Sequence, residues 1–271
     1  MFFHSDFASI ARAAVTRAAA HSRDNPRENL REGDARDDEE EIVRRLASDP
    51  RFKEAAHRER SRLVAKIEGD LGPFEARQLQ ALLEAPRERF VRLQDLPRSY
   101  EDVPLPLDDE GLSTISAPHA YLLSFRVLDL REGDALIELG TGSGYGAALA
   151  SDIVGDEGSV RTFEIDERLA SRATRLLLER SNVQVFHLDA TESAPVWGSF
   201  TKVVATFAVD PVPDAWLHAL PIGGVLVTPI GPRDRDQRLV RIIRTESEFL
   251  TSDHGGVRYV SNRSTIPPAR E

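Results

Sequence analysis

A short run of glycines directly after a predicted buried strand constrains this chain most. The apolar segment Ala135-Leu136-Ile137 is typical of a strand in a parallel sheet, and Gly140, Gly142 and Gly144 follow it. Residues 147–150, Ala-Ala-Leu-Ala, then favour a helix. Glycines at such a strand-to-helix turn let a ligand approach the backbone closely, because no Cβ stands in the way. The run therefore predicts a cofactor-binding loop in an α/β fold.

The glycine loop alone fits two classes of cofactor. Gly142, Gly144 and Ala147 satisfy the relaxed dinucleotide pattern G-x-G-x-x-A, so a nicotinamide dehydrogenase is one candidate. Glu138, directly before the glycines, would repel a pyrophosphate but attract the amino and sulfonium groups of S-adenosylmethionine. Glu164 follows the next predicted strand, where a carboxylate accepts hydrogen bonds from both ribose hydroxyls. This charge pattern favours S-adenosylmethionine over NAD.

Beyond residue 130 the pattern alternates between strands and helices, which predicts a doubly wound, mostly parallel, Rossmann-like sheet covered on both faces. Strands are predicted near residues 135–139, 159–163, 183–187, 202–207 and 224–229, and helices near 145–154, 167–180 and 213–219. Segments 238–244 and 256–260 are predicted to close the sheet as an antiparallel edge. Ligands of such sheets bind beyond the carboxyl ends of the strands, where the glycines and acids lie.

The N-terminal part differs in composition and predicts a helical extension. Residues 7–20 place apolar side chains on one side at helical spacing, which favours a short helix packed on its own protein. Residues 21–41 are almost entirely charged or polar and are predicted to form a flexible linker. Further helices are predicted at 40–47, 52–67 and 74–83. We therefore divide the chain into an extension, 1–57, and a catalytic domain, 58–271.

Composition excludes several classes of function. The net charge of −10 argues against a nucleic acid as partner, because phosphate contacts dominate that kind of affinity. The sequence has no cysteine, so disulfides and thiolate metal sites are excluded, and no metal is expected. No apolar run approaches the roughly 20 residues of a membrane span, and the N-terminus lacks the pattern of a secretory signal. The expected location is the cytoplasm.

Several segments together resemble the protein-L-isoaspartate O-methyltransferase family, which belongs to the class I S-adenosylmethionine-dependent methyltransferases. Thr114-Ile115-Ser116-Ala117-Pro118-His119 and Glu138-Leu139-Gly140-Thr141-Gly142-Ser143-Gly144-Tyr145 carry the resemblance most clearly. The other matching segments are residues 85–91, 100–107, 163–166, 223–231 and 256–260. The similarity extends from about residue 58 to 262, in order and at familiar spacing.

The resemblance implies a carboxyl O-methyltransferase that uses S-adenosylmethionine. Its acceptor would be the α-carboxyl of an L-isoaspartyl residue in a protein or peptide, and the methyl ester would then collapse to a succinimide, which is a repair reaction. One alternative is a relative that methylates an aspartate of one cognate peptide to form an aspartimide. A second alternative is a non-catalytic scaffold that binds the cofactor. The sequence does not decide between a monomer and a dimer.

The resemblance also assigns site residues. Ser116 aligns with the family's active-site serine, although periodicity alone would favour an N-cap of the following helix, and both roles can coexist. The implied acceptor-binding residues are Thr114, Ile115, Ala117, Tyr259 and Val260. The implied cofactor-binding residues are Glu138, Leu139, Gly140, Gly142, Gly144, Glu164, Ile165, Asp189 and Ala190. His119 is expected to be a first-turn histidine and not a catalyst.

Five positions depart from the family pattern, and one of them is Ser113, which stands where glutamine is frequent. Leu188 and Ala190 flank Asp189 where the family usually has glycines, which crowds the loop expected at the adenine. Thr201 stands where an aspartate is common, and Phe207 stands where a small residue is usual. A phenylalanine at position 207 is expected to narrow the cleft or to change the choice of acceptor.

Overall fold

The computed structural model describes residues 7–24, 32–232 and 235–263, and at 20–24 and 32–38 it describes the backbone alone. Helix α1 (Phe7–Asp24) packs on the rest of the chain through Phe7, which is 2% exposed. The Phe7 ring lies 5.1 Å from that of Phe52 and 5.0 Å from that of Tyr100, measured between centroids. The apolar face predicted for this helix therefore packs against its own protein.

A second helix, α2 (Glu32–Leu46), follows, and then α3 (Pro50–Leu71) and α4 (Ala76–Glu84). Two short 3₁₀ helices at Arg87–Arg89 and Leu93–Arg98 lead to a small hairpin. Its strands β1 (Leu105–Pro106) and β2 (Thr114–Ile115) pair antiparallel, and α5 (Pro118–Leu128) begins directly after them.

The main sheet accounts for most of the remaining chain. It is built from β3 (Ala135–Leu139), β4 (Ser159–Glu164), β5 (Val183–His187), β6 (Lys202–Ala205), β7 (Val225–Ile230), β8 (Gln237–Arg244) and β9 (Phe249–Val257). The helices between them are α6 (Tyr145–Val154), α7 (Glu167–Leu176) and α8 (Asp214–Ala219), with a 3₁₀ turn at Ala194–Val196.

Strand order places the site. Within the described residues the order is β5-β4-β3-β6-β7-β8-β9, with β3 to β7 mutually parallel and the last two antiparallel. The chain moves outward from β3 to β5 and then returns to place β6 on the other side of β3. Ligands of doubly wound sheets bind at this kind of reversal. The carboxyl ends of β3 and β6 therefore mark the expected binding edge.

Alternating side chains divide the core into two layers, because successive residues of a strand point to opposite faces. Leu136, Val204 and Val227 face a layer that contains α3 to α7 and the docked α1. Ile137 and Leu139 face the opposite layer, which contains the buried Trp197 and Trp216. The sheet is thus covered on both faces, as predicted.

Several element boundaries differ from the predictions. Residues 21–41, predicted as a flexible linker, include the end of α1 and the start of α2, and 25–31 lie outside the described residues. In the part of α2 that was predicted, Glu41 pairs with Arg44 and Arg45, and such pairs support a helix.

The closing strand β9 begins at Phe249 instead of at the predicted residue 256, and it ends before Tyr259. This edge strand is exposed along most of its length, so it lacks the alternating pattern from which a half-buried strand is recognised. In the part of the chain that the structure describes, no helix is long and apolar enough to cross a membrane. No group of side chains among the described residues is arranged to hold a metal ion.

Candidate functional site

A cavity opens at the carboxyl ends of β3, β4 and β6, and we call it the loop cavity because the glycine turn forms its floor. Nine residues assigned from the sequence line it: Thr114, Ser116, Gly140, Gly142, Glu164, Ile165, Asp189, Ala190 and Val260. Ten further residues line the cavity: Leu112, Ser113, Tyr121, Thr141, Phe163, Thr206, Phe207, Ser261, Asn262 and Arg263. The strand ends thus bring together residues from most of the chain's length.

Gly140 shows why the loop needs glycine. Its φ of +95° lies in the left-handed region, and a Cβ there would stand 2.4 Å from the Thr206 hydroxyl oxygen and 2.8 Å from the Phe207 ring. The Thr206 hydroxyl lies within hydrogen-bond distance of the carbonyl oxygens of Gly140 (2.6 Å) and Leu139 (3.1 Å). The end of β6 therefore packs directly on the loop after β3. Gly142 has a φ of +54° and leaves the loop backbone open to the cavity.

Glu164 places a carboxylate at the end of β4, facing the loop cavity. Its Oε2 accepts a hydrogen bond from the Gly142 N–H at 2.8 Å, and its Oε1 accepts one from the Asp166 N–H at 3.0 Å. Burial raises the pKa of this carboxyl, while the two backbone hydrogen bonds act in the opposite direction. The residue is well placed to accept hydrogen bonds from a diol bound in the cavity.

Glu138 does not line the loop cavity. Its side chain is 1% exposed and lies beneath the loop, where Oε2 accepts a hydrogen bond from the Thr162 hydroxyl at 2.7 Å. Burial raises its pKa to about 8, and the negative charge of Glu164 adds to this effect. Glu138 is therefore largely protonated at neutral pH. Its predicted repulsion of a pyrophosphate does not hold, and the charge-based argument for the cofactor class now depends on Glu164.

Two other residues of the predicted cofactor site form the support of the loop cavity. Leu139 is fully buried in the core of the sheet. Gly144, with a φ of +89°, begins α6 and lets α7 approach, because a Cβ there would meet Leu177 and Ala173 at 3.1 and 3.2 Å. At the far wall, Asp189 accepts hydrogen bonds from the backbone and hydroxyl of Thr191, which holds its loop in a tight turn.

A second depression, which we call the outer groove, adjoins the loop cavity on the side of the β1–β2 hairpin and β8–β9. It is lined by Pro104, Thr114, Ser116, Ala117, His119, Ala120, Leu123, Asp236, Gln237, Arg238, Leu239, Gly256, Val257, Arg258, Tyr259 and Val260. Three residues, Thr114, Ser116 and Val260, line both spaces. The two openings therefore meet at these three residues, and Ser116 is one of them.

The backbone on both sides of Ser116 is held by side chains. Its N–H donates to the Tyr121 hydroxyl at 3.1 Å, and its carbonyl oxygen accepts from Nη2 of Arg87 at 3.1 Å. Ala117, and not Ser116, occupies the N-cap of α5, and no side chain caps that helix end. The expected N-cap role of Ser116 is therefore wrong, because the serine lies one residue too early.

The outer groove is fixed by two further contacts. Gln237, fully buried, accepts a hydrogen bond from the Tyr259 N–H at 2.7 Å and donates one to the Tyr259 carbonyl at 3.1 Å. Asp102 accepts hydrogen bonds from the His119 backbone N–H (3.0 Å) and contacts its Nδ1 (2.9 Å). Burial tends to raise the pKa of Asp102, but the hydrogen bonds from His119 outweigh burial and lower it. Ile115, assigned to this wall, is instead fully buried beneath it.

Sequence reasoning missed several residues that build the site. Arg87 lies inside a segment that resembles the family, yet the sequence gives no sign of what this arginine contacts. Arg263 donates from one nitrogen to the Ser113 hydroxyl and the Asp166 carboxylate, both at 3.1 Å, and so links the C-terminal segment across the loop cavity. The sequence could have indicated Thr206, because this residue directly follows β6, the strand next to β3.

Two adjoining spaces that share the lining residues Thr114, Ser116 and Val260 can hold two ligands with their reacting ends together. The loop cavity presents the accessible backbone of the glycine turn and the carboxylate of Glu164. These groups suit a ribose and the chain attached to it. The outer groove is open and flanked by an exposed strand, which suits an extended peptide. An arrangement of this kind favours transfer of a group between the two ligands, with proximity as the main contribution.

Comparison with known proteins gives a consistent result. The model of the protein-L-isoaspartate(D-aspartate) O-methyltransferase family matches residues 60–265. The protein-L-isoaspartate O-methyltransferase of Ignicoccus hospitalis is 38% identical over 173 residues, which is 63% of this chain and 81% of that one. The enzyme of the same name from Methanothermobacter thermautotrophicus is 37% identical over 184 residues, covering 67% of this chain and 84% of its own.

Solved structures agree on the fold. A structure of a protein-L-isoaspartate O-methyltransferase superposes with a TM-score of 0.68 at 27% identity, over 74% of this chain and 65% of that one. A Plasmodium falciparum structure titled as the same type of enzyme, in complex with S-adenosyl-L-homocysteine, gives a TM-score of 0.65 at 20% identity. It covers 76% of this chain and 98% of its own and supports the fold alone.

Proposed function

This chain belongs to the protein-L-isoaspartate(D-aspartate) O-methyltransferase family, and on that premise we propose how its site works. It transfers the methyl group of S-adenosylmethionine to the α-carboxylate of L-isoaspartyl residues in proteins or peptides. The observation that supports this reaction best is the junction of the loop cavity and the outer groove at Ser116. One space suits the cofactor, the other suits a peptide, and the reacting groups would meet beside Ser116, between the two spaces.

The residues of the loop cavity fit the cofactor. The turn after β3 is free of side chains at Gly140 and Gly142, and any Cβ at Gly140 would clash with the end of β6. Glu164 would hold the ribose hydroxyls, and Asp189 and Ala190 would lie beside the adenine. Ile165, about a third exposed at the same edge, would cover one face of the nucleoside.

The chemistry asks little of the protein. When bound, S-adenosylmethionine supplies an electrophilic methyl group on a sulfonium. The acceptor α-carboxyl has a pKa of about 3.5 and is ionised at neutral pH, so no general base is needed. Ser116 would donate a hydrogen bond to the acceptor carboxylate, and the N-terminus of α5 next to it favours an anion. Thr114 and Val260 would enclose the reacting groups, and Ala117 and Tyr259 would contact the peptide.

Residues 58–271 form the methyltransferase domain in this proposal, and 1–57 form an extension of it. The family match from residue 60 to 265 supports this division. Helix α3 runs from Pro50 to Leu71, so the two parts share one continuous helix. The extension therefore acts as part of the same folded unit and not as a separate module.

A methyl-transfer assay with labelled S-adenosylmethionine tests the proposal. Its substrates are a generic peptide in paired isoaspartyl and aspartyl forms. Transfer to the isoaspartyl form alone is expected. Methylation of neither form, together with cofactor binding by calorimetry, would contradict a general repair role and indicate one dedicated peptide. Phe207 in the wall of the loop cavity would then be the first residue to exchange for a smaller one.

A further inference from the structure

Arg87 is an unusual residue in the wall behind the outer groove. Its side chain is 0% exposed, and its hydrogen bonds go to four backbone carbonyl oxygens in two separate stretches of chain, 99–103 and Ser116. One terminal nitrogen, Nη1, donates to Ser99 (2.8 Å) and Glu101 (3.1 Å). The other, Nη2, donates to Val103 (2.9 Å) and Ser116 (3.1 Å).

A buried guanidinium is costly, because the charge leaves water, and this cost is offset only by well-made hydrogen bonds. Neutral carbonyl oxygens offset it less than a carboxylate would. Other arginines of this protein, such as Arg172, also join segments through backbone carbonyl oxygens, but Arg87 differs because one of its acceptors belongs to Ser116. The cost becomes understandable if the guanidinium fixes a geometry that the reaction requires.

The bond to the Ser116 carbonyl gives such a reason. Arg87 holds the peptide group that follows Ser116, while the Tyr121 hydroxyl accepts from the N–H of Ser116 itself. With both flanking groups fixed, the backbone that carries the serine hydroxyl is held at the junction of the loop cavity and the outer groove. The guanidinium also places a positive charge one peptide unit from the site proposed for an anionic acceptor.

We propose that Arg87 is a positioning residue for methyl transfer, which acts through Ser116 by fixing its carbonyl group. This proposal rests on the proposed function, because it needs a carboxylate acceptor at Ser116. Arg87 touches neither ligand space, so its removal is expected to lower turnover and leave cofactor affinity nearly unchanged. The effect must also disappear when Ser116 no longer has a hydroxyl to position.

A double-mutant cycle measures this dependence directly. We would compare the wild type, Arg87→Lys, Ser116→Ala and the double variant, with kcat for an isoaspartyl peptide as the readout. Each kcat is divided by the fraction of protein that binds S-adenosylmethionine in calorimetry, so that misfolded protein does not count. A loss of about tenfold or more is expected for Arg87→Lys in the wild-type background, and less than about twofold in the Ser116→Ala background.

Arg172 offers a control that also binds several backbone carbonyl oxygens, although it pairs with Glu40 as well (3.3 Å). It donates to three backbone carbonyl oxygens, those of Arg89, Phe90 and Val91, but lies on α7 and lines neither space. Arg172→Lys is expected to change normalised kcat less than about twofold. An equal loss for Arg172→Lys would assign both arginines to general stability and overturn the proposal.

The remaining outcomes are equally decisive. An unchanged kcat for Arg87→Lys, or the same loss in both backgrounds, would overturn the positioning role while the repair function stood. If Arg87→Lys fails to bind cofactor, Arg87→Met, which removes the buried charge altogether, replaces it in the cycle. Failure of both variants to bind cofactor would assign Arg87 to folding. A wild type that methylates no isoaspartyl peptide would overturn the proposed function first.

Discussion

The loop cavity and the outer groove meet at Thr114, Ser116 and Val260 but are built in different ways. The floor of the loop cavity is a single turn after β3, held by the neighbouring strand ends through Gly140 and Thr206. The outer groove is assembled from distant segments, joined by long side chains such as Arg87 and Gln237 that bind backbone groups. The position of the loop cavity follows from the strand order, whereas the shape of the outer groove depends on a few specific hydrogen bonds. Substitutions in the loop cavity should remove cofactor binding. Substitutions in the outer groove should mainly reduce turnover.

The largest expected effect tests the loop cavity. Gly140→Ala would place a methyl group 2.4 Å from the Thr206 hydroxyl oxygen, at a φ that strains any residue with a side chain. Overpacking and strain together cost about 2–6 kcal/mol, so distortion of the loop should lower cofactor affinity by about 30-fold or more in calorimetry. Gly133→Ala is the control, because its φ of +81° is similar but no atom lies within 4 Å. Normal cofactor binding by Gly140→Ala would contradict the expected difference between the loop cavity and the outer groove.

The next prediction concerns the buried acid beneath the loop. Burial raises the pKa of Glu138 from 4.5 to about 8, so the unfolded chain loses this proton at lower pH than the folded protein does. Stability is therefore lost as pH rises from 4.5 to about 8 and levels off above that range. Glu138→Gln should remove this loss.

Thermal unfolding of both proteins across that pH range checks the sign. The variant should gain stability relative to the wild type with increasing pH, by a few kcal/mol at most. Glu157→Gln, in an exposed turn, is the control for loss of one acid. A constant difference between Glu138→Gln and wild type at every pH would refute the buried-acid interpretation.

The third prediction tests the shared serine. Ser116→Ala removes one hydrogen bond to a charged acceptor, which is worth about 1.5–3 kcal/mol, or roughly 10- to 100-fold in turnover. Cofactor affinity should stay nearly unchanged, because the hydroxyl is assigned to the acceptor. Steady-state kinetics and calorimetry measure the two effects separately. Equal losses of turnover and of cofactor affinity would assign Ser116 to the cofactor site and would contradict the distinction between the two spaces.

The smallest expected effect lies where the two sides are joined. Arg263 follows the segment that walls the outer groove, yet it bonds to Ser113 and Asp166 beside the loop cavity. Partly exposed contacts of this kind are worth about 1 kcal/mol, so Arg263→Ala should speed cofactor dissociation by about three- to tenfold. Stopped-flow displacement measures the rate. Arg62→Ala, which removes an exposed pair with Glu59, should leave it unchanged.

The sequence allowed good prediction of the features that depend on local pattern. Strand β3, the glycine turn and Glu164 lie where they were expected, because a buried strand followed by glycines has few alternative structures. Glu138 shows the limit of such reasoning. Its position in the motif was read correctly, but whether a strand-end acid faces the cavity or the core depends on how Thr162 and Gly146 pack around it.

Long-range contacts account for most of what was missed. Arg87 reaches Ser116 across 29 residues of sequence, and Gln237 reaches Tyr259 across 22. No local period marks either partner, since the contact exists only after the sheet and hairpin have come together. The early start of β9 was missed for a different reason: an edge strand exposed on both faces carries no alternating apolar pattern.

The opening of two separate spaces onto Thr114, Ser116 and Val260 has a consequence for inhibition. A molecule that tethers an adenosine to a short carboxylate-bearing peptide would reach both spaces through the gap between them. Once its nucleoside end is bound, its peptide end would be present at an effective local concentration in the millimolar range for a short flexible tether. Such a compound should bind far more tightly than either half, and the shortest effective tether would measure the width of the gap.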